Sequence, residues 1–178
     1  MKRMKSTTAG WVAAALVSLF LLAGCGATDG LIRTETPDVK PLVQDYSSGK
    51  IKGHDASITS HELIVNDGGK KITYDLPEDE FFVSIAPYLE NTHPCEIHSL
   101  TGCRGEMPNE AFHVTVVDAD GNTVLDQTME SQANGFIDLW LPRDQKFRIT
   151  ITRNGKTAEA GISTFAGDNT CITTMQLK

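Results

Sequence analysis

The sequence predicts a mainly β protein: a C-terminal antiparallel β-sandwich of about seven strands, preceded by a small N-terminal unit of one helix and one hairpin. Two observations carry that reading. From residue 80 onward, short runs with alternating apolar residues recur between clusters of Gly, Asn, Asp and Pro, the punctuation of a sheet protein. Between residues 37 and 76, a single short stretch places apolar residues at helical spacing, and a turn-centred pair of alternating runs follows it.

The N-terminus comes first because it decides the compartment. Lys2, Arg3 and Lys5 form a basic segment, Trp11 to Leu22 an apolar run, and "LLAGC" closes it with small residues before Cys25. This is a secretory signal of the lipoprotein type over residues 1–24. The run is shorter than the roughly 20 residues of a membrane span. "LAGC" resembles the bacterial lipobox, which implies cleavage before Cys25 and lipidation of its thiol. An ordinary secretory signal, or an uncleaved anchor beside a coincidental cysteine, is the plainer alternative. The expected mature chain is 25–178, held by lipid to a membrane of the cell envelope, outside the cytoplasm, and facing the periplasm if the cell is Gram-negative.

Residues 25–36 show no apolar period and read as a tether. In "TPDVKPLVQDYSSG", Asp38 is a candidate helix N-cap, Val39, Leu42, Val43 and Tyr46 share one face, and Gly49 stops the helix. "HELIVNDGGKKITYDL" alternates Leu63 and Val65 against Ile72, Tyr74 and Leu76 around "NDGG", a hairpin whose turn residues tolerate positive φ. The unit at 37–76 carries few apolar residues, so it needs a partner surface: the rest of the chain or a second copy.

The β-rich region spans 77–178. "EFFVSIAPYL" sets Phe81, Val83 and Ile85 on one face, and Pro87 argues against a helix. "FHVTVVD" and "NTVLDQTM" flank "DADG", and Pro142 ends "GFIDLWL". "KFRITIT" and "KTAEAGIST" flank the turn "RNG", and "TCITTMQL" finishes the chain. The long break in this rhythm, residues 90–110, contains "HPCEIHSLTGC".

That break holds most of the chemistry. With Cys25 lipidated, Cys95, Cys103 and Cys171 remain, and in an oxidising envelope three thiols cannot all pair within one monomer. One reading is a Cys95–Cys103 disulfide closing a short loop, with Cys171 a buried small hydrophobe in the last strand. The sharper reading is a soft-metal site. Two cysteines on one loop, His98 between them and a third cysteine from a distant strand make a sulfur-rich set that suits Cu(I), or zinc as Cys₃His. Spacing alone does not separate the two metals.

The remaining candidates divide by neighbourhood. His93 precedes Pro94 and points away if the turn requires it, while His54, His61 and His113 lack cysteine neighbours and read as surface or strand-face residues. Met107 and Met175 are thioether donors or core filler. Arg104 and Glu106 are candidates for orienting the ligands or lowering a thiol pKa.

Three segments, "FFVSIAPYLENTHPCEIHSLTGCRGE", "NGFIDLWLPRD" and "GDNTCITTMQL", together resemble the CueP family of periplasmic copper-binding proteins. The resemblance runs from Phe81 to the C-terminus with its segments in order. It implies a copper-resistance factor that buffers copper in the envelope and passes it to a Cu,Zn superoxide dismutase. It places the three functional cysteines at Cys95, Cys103 and Cys171, and it implies a small N-terminal domain used for homodimerisation. The lipobox departs from soluble periplasmic members, since this chain would be tethered.

Charge and motifs set bounds on other classes. Removing residues 1–24 takes away three of the 16 basic residues and none of the 23 acidic ones, so the net charge falls from −7 to −10. That balance argues against a nucleic-acid partner and is permissive for a cation. The sequence has no G-x-S-x-G elbow, no H-E-x-x-H and no phosphate loop, so an enzyme of those types is not expected. Two rival classes stay open. One is a thiol-disulfide redox protein working through Cys95 and Cys103, although their spacing is not C-x-x-C. The other is a structural envelope lipoprotein with a disulfide-closed loop.

Overall fold

The computed structural model describes residues 38–178 and the backbone of Ile32–Thr34; the expected signal, Cys25 and most of the tether lie outside the described residues. In chain order the elements are β1 (Ile32–Thr34), α1 (Lys40–Ser47), β2 (Asp55–Ile58), β3 (Glu62–Asp67), β4 (Lys70–Asp75) and β5 (Glu80–Ile85). They continue with β6 (His98–Ser99), β7 (Ala111–Asp118), β8 (Thr123–Glu130), β9 (Ile137–Pro142), β10 (Lys146–Arg153), β11 (Lys156–Ser163) and β12 (Cys171–Ile172). The protein is mainly β, as the alternation predicts. No helix among the described residues is long and apolar enough to cross a membrane.

The sandwich consists of a four-stranded sheet, β11-β10-β7-β8, facing a three-stranded sheet, β12-β5-β9. Phe81, Val83 and Ile85 of β5 and Leu139 of β9 meet Val114 of β7 and Ile149 of β10 in one apolar core. Each hairpin turn uses the residues its sign of φ demands. Asn154 (φ 50°) and Gly155 (φ 76°) form the two-residue turn between β10 and β11. The last segment differs from an ordinary antiparallel strand. Only Cys171 and Ile172 form β12, and they pair parallel to β5 at Ser84 and Ile85. Beyond them an isolated bridge, Tyr88 to Gln176, and a reciprocal pair of backbone hydrogen bonds between Lys178 and Thr157 hold the chain end on the sandwich.

The outer face of the three-stranded sheet is also covered, which explains why "FFVSIA" is apolar on both faces. Phe82 and half-buried Trp140 join Val43 and Tyr46 of α1, Ile58 of β2 and Leu63 of β3 in a second core. Asp138 of β9 fastens the two parts together, accepting the hydroxyls of Ser47 and Ser84 and the side-chain amide of Gln132. The helix begins at Lys40 with Val39 as its N-cap, so Asp38, the expected N-cap, lies one position earlier, where its carboxylate accepts the N–H of Lys40. Gly49 (φ 72°) ends it.

The small N-terminal sheet has the order β1-β4-β3-β2-β6. The expected hairpin is β3–β4, turning on Gly68 and Gly69 with Leu63 opposite Tyr74 and Val65 opposite Ile72. Three strands go beyond the sequence reading. Residues 32–34, within the expected tether, run parallel to β4. β2 and β6 are short, with too few alternating residues to register as strands, yet their pairing of Ile58 with His98 carries the N-terminal sheet to the break in the sandwich rhythm.

Candidate metal centre

Backbone pairing delivers four donor side chains to one place from two separated parts of the chain. β12 pairs with β5 and presents Cys171. β6 pairs with β2 and presents His98. After β6 the chain turns back, with Cys103 N–H donating to the Ser99 carbonyl at 3.0 Å and Gly102 N–H to Ser99 Oγ at 2.9 Å. This places Cys103 beside Cys95. The donor atoms of Cys95, His98, Cys103 and Cys171 all lie within 4.8 Å of one another.

Cys95 and Cys171 are joined as a disulfide, with Cα atoms 5.6 Å apart, and Cys103 is the free cysteine. The disulfide alternative read from the sequence paired Cys95 with Cys103 instead. Loop proximity suggested that pairing, but the parallel pairing of β12 brings Cys171, 76 positions away, onto Cys95. Cys103 Sγ remains 3.5 Å from Cys95 Sγ. All three sulfurs therefore form one cluster.

Thr170 fixes two of the four donors at once, and the sequence reading did not single it out. Fully buried, its hydroxyl donates to the Ile58 carbonyl at 2.6 Å and accepts the backbone N–H of His98 at 3.0 Å. Its own N–H and that of Cys171 both donate to the Glu96 carbonyl. The signal available in the sequence was a polar residue beside a buried cysteine, which is too common to decide anything.

Arg104 and Glu106 act on backbone. Arg104 donates to the Cys103 carbonyl at 2.7 Å. The Glu106 carboxylate accepts the N–H groups of Leu89, Glu90 and Asn91, and these bonds, led by that of Glu90, hold its pKa below the usual carboxylate range. It thereby anchors the chain that leads into His93 and Cys95. Between these two residues, Gly105 crosses Gly135 so closely that a Cβ on Gly105 would lie 2.5 Å from the Gly135 carbonyl oxygen. We expect Gly105→Ala to lower stability by about 1–3 kcal/mol, as overpacking does. A thermal melt equal to the wild type's would contradict this contact.

His98 has 0 % exposure and packs against Phe136, with ring centroids 4.5 Å apart and the rings inclined at 51°. Its Nδ1 is 3.4 Å from Cys171 Sγ, and its Nε2 is buried without a hydrogen-bond partner. A disulfide sulfur can only accept, so Nδ1 carries the proton and Nε2 keeps a free lone pair. Burial, with a smaller contribution from the His93 charge, lowers the His98 pKa to about 3. The unfolded chain takes up this proton near the ordinary value of 6.5 while the folded chain does not. Stability of the metal-free protein is therefore expected to fall as the pH drops from 6.5 toward 3, with a slope of up to about 1.4 kcal/mol per pH unit from this group. His98→Phe should flatten that limb of a denaturation-versus-pH series; an unchanged slope would refute the assignment.

The other candidates lie elsewhere. His93 flanks the cluster, edge-on to Phe136 at 6.4 Å, but is not one of the four. His54 pairs with Asp67 and His113 with Asp126, while His61 is exposed beside the turn leading into β3. Met107 and Met175 are packed in the sandwich core.

The cluster has two sides. His98 and Cys171 are buried against Phe136 and Ala86, whereas Cys95 and Cys103 are partly exposed. Such a donor set suits a soft cation. It has a fixed floor and an open sulfur edge.

A family model described as periplasmic copper-binding protein CueP matches residues 40–176. A solved structure described as the crystal structure of S.CueP is similar to this chain at 41% sequence identity and a TM-score of 0.76, covering 80% of this chain and 89% of the other. No curated protein matches. Fold, cysteine cluster and family model agree, and the chain belongs to the CueP family of periplasmic copper-binding proteins.

Proposed function

We propose that this protein sequesters copper as Cu(I) through Cys95, Cys103 and Cys171, with His98 as a fourth or alternative ligand, and surrenders it at the exposed sulfur edge. The observation that carries this reading is the convergence of three sulfurs and one imidazole within 4.8 Å. Thiolates are soft ligands, and three of them favour Cu(I), although zinc would also accept a Cys₃His set. Because Cys171 arrives from a distant strand, the site is complete only in the folded chain, which couples affinity to folding.

Loading requires the Cys95–Cys171 disulfide to be open. A thiol reductant supplies two electrons and two protons and leaves as its own disulfide. In the reverse direction, two thiolates that close into a disulfide give up two electrons, enough to reduce two Cu(II) ions to Cu(I). The disulfide and the metal site are then two states of one cluster. Transfer proceeds by ligand exchange, with an incoming partner ligand meeting Cys95 and Cys103 while His98 and Cys171 still hold the ion from below.

Four further parts of the reading rest on the resemblance or on the lipobox. The receiving partner is a Cu,Zn superoxide dismutase, the outcome is copper resistance, and the N-terminal unit mediates homodimerisation. Cys25 anchors the chain to the membrane through lipid, and Cys25→Ser should release the protein into the soluble fraction.

Anaerobic titration of the fully reduced chain with Cu(I) against a chromophoric chelator tests the central reading. Retention of about one copper per chain, not displaced by excess zinc, supports it. A folded, reduced chain that retains none rules it out. The 3.5 Å approach of Cys103 to the disulfide favours a second reading, thiol-disulfide exchange. There, the Cys103 thiolate attacks Cys95 and expels the Cys171 thiolate. Exchange with a model disulfide in the absence of metal would support that activity.

A further inference from the structure

A cavity of about 570 Å³ lies behind the metal loop, between the segment that follows α1 and residues 100–104 and 133–134. Buried Leu100 and Tyr46, with half-buried Ile51, give it an apolar floor. Lys52 and Arg104 stand exposed at its edge, together with one carboxylate, Asp55. His54 also lines it, and is already paired with Asp67. Two fixed cations against one carboxylate make this lining positive on a chain whose net charge is −7.

Asn134 supplies an independent sign that something belongs there. It lines the cavity and is only 5% exposed. Its Oδ1 accepts the N–H of Phe136, whereas its buried Nδ2 has no acceptor. A buried donor left unsatisfied costs about 1–3 kcal/mol, so native proteins seldom keep one without a reason.

We infer that this cavity is a second binding site, for a small organic carboxylate, separate from the cysteine cluster. The carboxylate meets Arg104, whose planar fork matches two oxygens, and Lys52, while the carbon body lies on Leu100, Ile51 and Tyr46. Bare inorganic oxyanions leave that floor uncovered and most of the volume unfilled. The occupant rests against the back of the segment carrying His98 and Cys103. The site does not depend on the copper reading, because the cavity is present with the Cys95–Cys171 disulfide closed.

The test uses the metal-free, disulfide-closed protein and three probes: succinate, its uncharged diamide, and inorganic phosphate. Calorimetric titration should show saturable succinate binding, no binding of the diamide, and clearly weaker binding of phosphate. Lys52→Gln and Arg104→Gln should each weaken succinate by about tenfold, the equivalent of one charge-assisted hydrogen bond. Lys52 is exposed and remote from the cysteines in sequence, so that variant stays interpretable if the Arg104 variant disturbs the loop. Absence of saturable succinate binding overturns the inference, as does equal binding of the diamide or phosphate, or undiminished affinity in the folded Lys52→Gln protein.

Discussion

Cys171→Ser is expected to weaken Cu(I) binding by the reduced protein on the order of 100-fold or more, because losing even a residue that merely orients a ligand costs 10–100-fold. Cys171 is 1% exposed and forms the floor of the cluster beside His98 Nδ1. Serine nearly preserves the volume and can accept the Nδ1 proton, so the fold survives. What disappears is a soft donor, and a hydroxyl is a poor ligand for Cu(I). Chelator competition read beside a melt of the reduced protein separates affinity from folding. The comparison has to be made with reduced wild type, since the oxidised protein also carries a cross-link spanning 76 positions, worth about 4 kcal/mol by loop closure. Cys103→Ser should lose affinity in the same direction. Unchanged competition in both variants would mean that copper binds elsewhere.

Thr170→Val is expected to have the second-largest effect, although Thr170 offers no ligand. Valine keeps the shape and removes the hydroxyl that bonds both the Ile58 carbonyl and the His98 N–H, two groups that face each other across the β2–β6 pairing. Losing its two hydrogen bonds costs about 1–3 kcal/mol of stability. Because the same hydroxyl fixes the strand before Cys171 and the backbone of His98, Cu(I) affinity should also fall about 10–100-fold. Thr170→Ser keeps the hydroxyl and should restore the affinity. A purely structural role would instead lower the melting temperature of Thr170→Val and leave the copper competition of the folded fraction unchanged.

Much of this fold was legible because its signals are local. The sandwich strands announce themselves by alternation, and "RNG" and "NDGG" by the positive φ that their turns require. The face shared by Phe81, Val83 and Ile85 follows from the two-residue period. What could not be read is what depends on distant pairing. β2 and β6 are too short to show a pattern, and they are strands only because β2 pairs with β3 and β6 with β2. The parallel docking of β12 on β5, which sends Cys171 to Cys95, leaves no mark in residue spacing. For the same reason the four donors could be nominated from their chemistry, while their burial could not: His98 and Cys171 as floor, Cys95 and Cys103 as edge. Thr170 and the Gly105–Gly135 crossing became visible only once three chain segments met.

X-ray absorption at the copper edge of the anaerobically loaded, reduced protein tests the central claim most directly. The sulfur cluster predicts Cu(I) surrounded mainly by sulfur, with one sulfur neighbour lost in Cys103→Ser and one in Cys171→Ser. A copper ion with only nitrogen and oxygen neighbours, or a spectrum unaltered by Cys171→Ser, would contradict it.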